Sequence, residues 1–127
     1  MTMTAEAAHL FEDARNMYAA ALERLAAGDI RDASEKAWCA TKRATDGLLL
    51  ARTGQAPERT TETGRGIRTL SGGSPAVYDL RVRYYHHQSV LHGACFYDGM
   101  CEPIADTEQL IRQTAQYVQD AERLANS

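Results

Sequence analysis

The sequence predicts an all-α protein, and three observations carry that expectation. Twenty-one alanines stand against eight valines and isoleucines together, an excess of a strong helix former over the β-branched residues that fill sheets. Apolar residues recur at spacings of three and four through most of the chain, the period of a helix with one buried face. Turn-forming residues fall between those stretches, at Gly28-Asp29, through residues 54–74, and at Asp98-Gly99. With 127 residues, 44% of them hydrophobic, the chain accommodates one domain with a single modest core. An antiparallel up-and-down four-helix bundle with a long connection between its second and third helices is the economical architecture.

The first helix is expected over residues 4–27, with Leu10, Phe11, Ala14, Met17, Tyr18, Ala21, Leu22 and Leu25 on its inner face and Gly28 as its stop. Asp29 can cap the second, over residues 29–53, whose stripe is Ile30, Ala33, Ala37, Ala40, Ala44, Leu48 and Ala51, flanked by Trp38 and Leu49. Gly47 inside it lowers helix propensity. Residues 54–74 turn to Gly, Thr, Ser, Pro and Arg. A structureless connection of that length is uncommon, so it either holds a short helix near residues 62–70 or serves as a functional loop. Arg52, Arg59, Arg65 and Arg68 make it locally basic. Ser74-Pro75 starts a third helix over residues 75–98, with Tyr78, Leu80, Tyr84, His87, Leu91, Ala94 and Cys95 inward. The fourth, over residues 103–125, turns Ile104, Leu110, Ile111, Ala115, Val118, Ala121, Leu124 and Ala125 to the core.

Fourteen Lys and Arg against 17 Asp and Glu give a net charge of −3, which excludes a globally basic nucleic-acid binder and leaves room for a local basic patch. The apolar run Leu48 to Ala51 is far too short to cross a bilayer, and residues 1–9 lack a basic opening and an apolar segment. A cytoplasmic protein with no membrane contact is expected. Three cysteines, an odd number without a dense framework, fit a reducing compartment better than a stapled secreted fold, with a Cys95–Cys101 bridge the less favoured arrangement.

Chemistry concentrates in residues 78–92, where Arg81, Arg83, His86, His87 and His92 stand among Tyr78, Tyr84 and Tyr85. On a helix Arg83 reaches His86 and His87 at i+3 and i+4, so guanidinium and imidazole can converge on one phosphate. That pairing suits RNA cleavage, in which a histidine exchanges protons with a ribose hydroxyl while an arginine stabilises the phosphorane. Tyr84 and Tyr85 could stack on bases. The plain alternative is a solvated helix face with His87 in the apolar stripe and the tyrosines used for packing. A metal could draw on His86, His87, His92, Cys95, Asp98, Cys101 and Glu102, but a bundle site needs Glu-x-x-His motifs on two facing helices and the chain has one, Glu6 to His9, so no metal is expected. Gly64-Arg65-Gly66 and Ser71-Gly72-Gly73-Ser74 lack the Lys and strand context of nucleotide loops, so no cofactor is expected. Cys39 and Cys95 fall on packed helices, where a thiol is inert.

Residues 27–52, with a Gly28-Asp29 opening before a stripe of alanines and Trp38, resemble the second helix of HEPN-domain proteins. The resemblance extends over most of the chain as four helices. The third carries the superfamily's motif of an Arg, four to six residues, then a His: Arg81 precedes His86 by four intervening residues and His87 by five, with Val82 where the motif usually has a polar residue. Residues 92–99, from His92 through Phe96-Tyr97, are similar to a segment of some HEPN-like families. The resemblance implies a homodimer and a metal-independent ribonuclease of a toxin–antitoxin or defence system. Arg81, His86 and His87 would then be catalytic, and Arg83, Tyr84, Tyr85 and His92 would hold RNA or nucleotide phosphate. It equally implies an alternative, a non-catalytic interaction module paired with a nucleotidyltransferase-like antitoxin. Trp38, Tyr84, Tyr85, Phe96 and Tyr97 are more aromatic surface than one small core is expected to hide, which also favours a dimer.

Overall fold

A computed structural model describes residues 3–127. Met1 and Thr2, which begin the stretch read above for a leader, lie outside the described residues. The helices are α1 (Ala5–Ala26), α2 (Ile30–Thr53), α3 (Thr60–Ser71), α4 (Pro75–His87) and α5 (Ile104–Ala125). Beyond His87 the chain continues α4 without a break as a π-helical segment, Gln88–Tyr97. No strand occurs among the described residues.

Local chemistry sets the helix starts. The Thr4 hydroxyl accepts from the Ala7 N–H at 3.2 Å, the Asp29 carboxylate from the Asp32 N–H at 3.1 Å, and the Ser74 hydroxyl from the Val77 N–H at 3.3 Å, each satisfying a donor that a first turn leaves free. The expected four-helix architecture is corrected in one respect: residues 54–74 contain α3, so the described fold has five helices. Thr63, Ile67 and Ser71, one turn apart, are buried on α3's inner face. That helical periodicity is diluted in the sequence by Gly64 and Gly66.

Helix α2 touches every other element. Its small inner residues Ala33, Ala37, Ala40 and Ala44 are fully buried and let neighbouring helices approach closely. Against α1, the Arg43–Asp13 ion pair and the Phe11 ring at Gly47 mark an antiparallel packing. A Cβ on Gly47 would lie 2.8 Å from the Phe11 ring edge, so this glycine serves the approach of α1 rather than weakening α2. Gly66 plays the same part in α3, where a Cβ would meet Leu49 at 2.7 Å. Tyr78, expected inward, is 53% exposed, because Val77 and Leu80 hold the buried register of α4.

The cysteine reading is also corrected. Gly99, with φ +71°, reverses the chain after the π segment, and Cys101 returns over Cys95 to form a disulfide with a Cα–Cα distance of 4.2 Å. Sequence spacing alone does not reveal that reversal. Reducing the bond should lower stability by about 2 kcal/mol, the loop-closure entropy of so short a ring. Thermal melts with and without reductant, the latter compared with a Cys101→Ser variant, measure it; equal melting temperatures would show that the bond contributes nothing.

Candidate functional site

The Arg, His and Tyr side chains singled out in the sequence all lie on α4 and the π segment, but they point to different neighbours. His87 is only 2% exposed. Its Nδ1 lies 2.8 Å from Thr41 Oγ1, and that hydroxyl already donates to the Ala37 carbonyl at 3.0 Å. The imidazole must therefore donate, which fixes the neutral Nδ1–H tautomer. Burial pulls its pKa down to about 3, with the neighbouring Arg83 and His86 acting in the same direction. Tyr117 packs on the ring at 5.3 Å between centroids and hydrogen-bonds Thr45 at 2.7 Å. Much of what presents His87 to the core is thus a polar seam along α2.

Arg83 is held between Asp120 at 2.8 Å and Asp79 at 3.3 Å, over the Tyr117 ring. Partial burial pushes the Asp120 carboxyl up, but hydrogen bonds from Gln116, Arg83 and Arg123 outweigh it and hold the group below the ordinary carboxylate range. Arg81 stacks on Tyr78 and donates to Ser71 Oγ at 3.4 Å. His86 is exposed beside a cavity of about 490 Å³ against α5, with Val90, Met100 and Leu110. His92 turns to α2, its Nδ1 2.7 Å from Glu35 Oε1. The convergence of Arg83 with His86 and His87 on one open volume is therefore not what the structure presents: Arg83 is ion-paired and His87 is inside.

The weighed metal ligands are likewise separated. Cys95 and Cys101 are bonded to each other, and His87 and His92 face Thr41 and Glu35. Among the described residues, no group of three or more His, Cys, Asp or Glu is placed to hold a metal ion. Trp38 and Tyr84 are buried, their rings 5.2 Å apart, so two of the five aromatics counted toward a dimer surface belong to this chain's own core.

A different cluster stands out when charges are paired off. Eleven of the 14 Lys and Arg side chains make an ion pair or hydrogen bond. Among the described residues, the three that make neither are Arg59, Arg65 and Arg68, all on α3 or its N-cap. Arg65 and Arg68 border a cavity of about 300 Å³ between α3 and α4, with Tyr84 and Tyr85 across it. Behind it the buried Asp46 carboxylate is satisfied by Lys42 at 2.8 Å and Thr63 at 2.7 Å.

The model of the archaeal PaREP1/PaREP8 family matches residues 9–115. The chain belongs to that family. No curated protein and no solved structure matches it. The PaREP1/PaREP8 match runs from within α1 to within α5, so the α3–α4 cavity lies wholly inside it. No helix among the described residues is long and apolar enough to cross a membrane. Of the cavity's residues, Tyr84 and Tyr85 were legible as candidates in the sequence, whereas Arg65 and Arg68 registered only as local basicity. Their i, i+3 spacing was the available signal, and it carries meaning only once the connection is known to be helical.

Proposed function

We propose that this PaREP1/PaREP8 chain is a cytoplasmic, HEPN-like protein that binds RNA or nucleotide phosphate through its α3–α4 face. In this reading α1, α2, α4 with the π segment, and α5 form an up-and-down four-helix core, and α3 is the addition that carries the cations. The observation that supports it most is that, among the described residues, the arginines making no ion pair or side-chain hydrogen bond are Arg59, Arg65 and Arg68, all on one short helix and its cap. Three free guanidiniums on an otherwise acidic chain are a local attractor for phosphate.

Binding is favoured over cleavage because His87, one of the two histidines in the Arg-to-His motif, is buried, neutral and hydrogen-bonded. Arg81 with His86 is the pair left for a metal-independent ribonuclease. Fluorescence anisotropy with a single-stranded RNA tests the proposal. Affinity should fall with salt at a log-log slope of about −2, at roughly −0.7 per phosphate neutralised, and Arg59→Ala/Arg65→Ala/Arg68→Ala should abolish most of it. RNA incubated with the protein and EDTA should stay intact. Cleavage lost in His86→Ala would establish the ribonuclease instead.

A second reading, an interaction module pairing with another copy or with a nucleotidyltransferase-like antitoxin, draws on exposed Val82, Tyr97, Met100 and Ile104. Light scattering decides the homodimer: a mass near 14.0 kDa at micromolar concentration would exclude it.

A further inference from the structure

We infer that the cavity between α3 and α4 is a site for a phosphomonoester attached to a nucleoside, the inference resting on the phosphate-binding reading above and specifying its ligand. Four independent features meet there. Arg65 and Arg68 reach its wall from one face of α3, and neither has a partner. Helix α3 has no capping side chain at Arg59, and the Thr60 and Thr61 N–H groups at its first two positions make no hydrogen bond, since the Glu62 and Thr63 amides are the ones bonded to the Arg59 carbonyl. Thr60 and Thr61 both line the cavity, so the positive end of the helix adds to the two guanidiniums.

The third feature is Tyr84. It is fully buried, lines the cavity, and its hydroxyl has no hydrogen-bond partner. Burial first, and the nearby Asp46 carboxylate second, raise its pKa well above the ordinary phenol, so it is a neutral O–H donor. A buried donor left unmade costs free energy; the hydroxyl is closed to solvent as the side chain stands, so an acceptor oxygen removes that cost only if the ring shifts toward the cavity that Tyr84 lines. The fourth is the wall's composition: no Asp or Glu lines it, and Gln88 is its remaining polar side chain. Asp46 sits behind, engaged by Lys42 and Thr63, and Glu62 faces a neighbouring hollow on the other side of Arg65.

These donors suit the oxygens of a terminal phosphate, which presents more acceptor capacity and more charge than an internal diester. Tyr85 offers the place for the attached base. It is 36% exposed, packs edge-on against Tyr84 at 5.3 Å, and its hydroxyl reaches the Gly64 carbonyl at 3.4 Å, so one edge is anchored beside the mouth. A volume of about 300 Å³ matches a nucleoside monophosphate or the end of one strand, at the small limit of ligand pockets.

The test uses the full chain and four probes: adenosine monophosphate, adenosine, and one single-stranded oligoribonucleotide with either a 5′-phosphate or a 5′-hydroxyl. Phosphorylated probes should bind at least tenfold more tightly than their unphosphorylated counterparts. Arg65→Ala and Arg68→Ala should each remove most of that difference. Tyr84→Phe should reduce it several-fold while leaving the melting temperature equal or higher, because it deletes an unsatisfied buried hydroxyl; a purely structural Tyr84 would leave binding unchanged. Equal binding of monophosphate and phosphorylated strand assigns the site to free nucleotides, and binding of the strand alone assigns it to RNA ends; both support it. If both oligonucleotides bind alike and lose affinity alike in the triple arginine variant, the RNA-binding reading stands and this site is overturned. If no probe binds, both fall.

Discussion

Acidification from pH 7 to pH 4 should cost the fold about 3 kcal/mol through His87 alone. In the unfolded chain the imidazole titrates near the ordinary 6.5, whereas in the fold its pKa is pulled down to about 3. Below 6.5 the unfolded state therefore binds a proton that the folded state does not. Stability is fully present above 6.5 and declines by about 1.4 kcal/mol per pH unit as pH falls toward 3. The Asp29 and Asp120 carboxyls, both held below the ordinary 3.8, add their losses only near and below that value, so the window from 6 to 4 belongs to the histidine. Urea denaturation across pH 7 to 4 should show the decline in wild type and a much flatter profile in His87→Gln, which keeps a donor for Thr41 but cannot titrate. Parallel profiles in the two proteins would place His87 in contact with water and reopen it as an acid–base group.

Replacement of Gly47 by valine should destabilise the protein by about 3 kcal/mol or more. The first added carbon would meet three atoms of the Phe11 ring at 2.8 to 3.1 Å, and Phe11 is itself fully buried and cannot swing into solvent. Helix propensity acts in the opposite direction by only about 1 kcal/mol even for alanine, so the clash dominates. Adding Phe11→Leu to Gly47→Val should recover part of the loss, whereas Phe11→Leu alone should cost stability; that coupling of opposite sign is the signature of a shared contact. Additive losses in the chevron or melt would mean that α1 and α2 do not pack at this point.

Composition and period were enough to read α1, α2, α4 and α5 from the chain. The stripes of α1, α2 and α5, the caps at Asp29 and Ser74, and the stop at Gly28 are local features, each decided by residues within a turn or two. Helix α3 was legible only as one of two options, because Gly64 and Gly66 lower its propensity and the compensation, a close approach to Leu49, lies on another helix. The Cys95–Cys101 bond was undervalued for a related reason, since it depends on a chain reversal at Gly99.

The site divides along the same line. The sequence by itself determined which residues could carry phosphate chemistry and that they cluster on α4 and the basic connection. Only the tertiary structure decided which of them are free to do so. It buried His87 against Thr41, neutralised Arg83 with Asp120, turned His92 to Glu35, and left Arg65, Arg68 and the Tyr84 hydroxyl without partners. A residue's type sets what it can donate or accept. Whether that capacity is already used depends on neighbours such as Thr41, Asp120 and Glu35, which are 37 to 57 positions away in the chain and which no local pattern can supply.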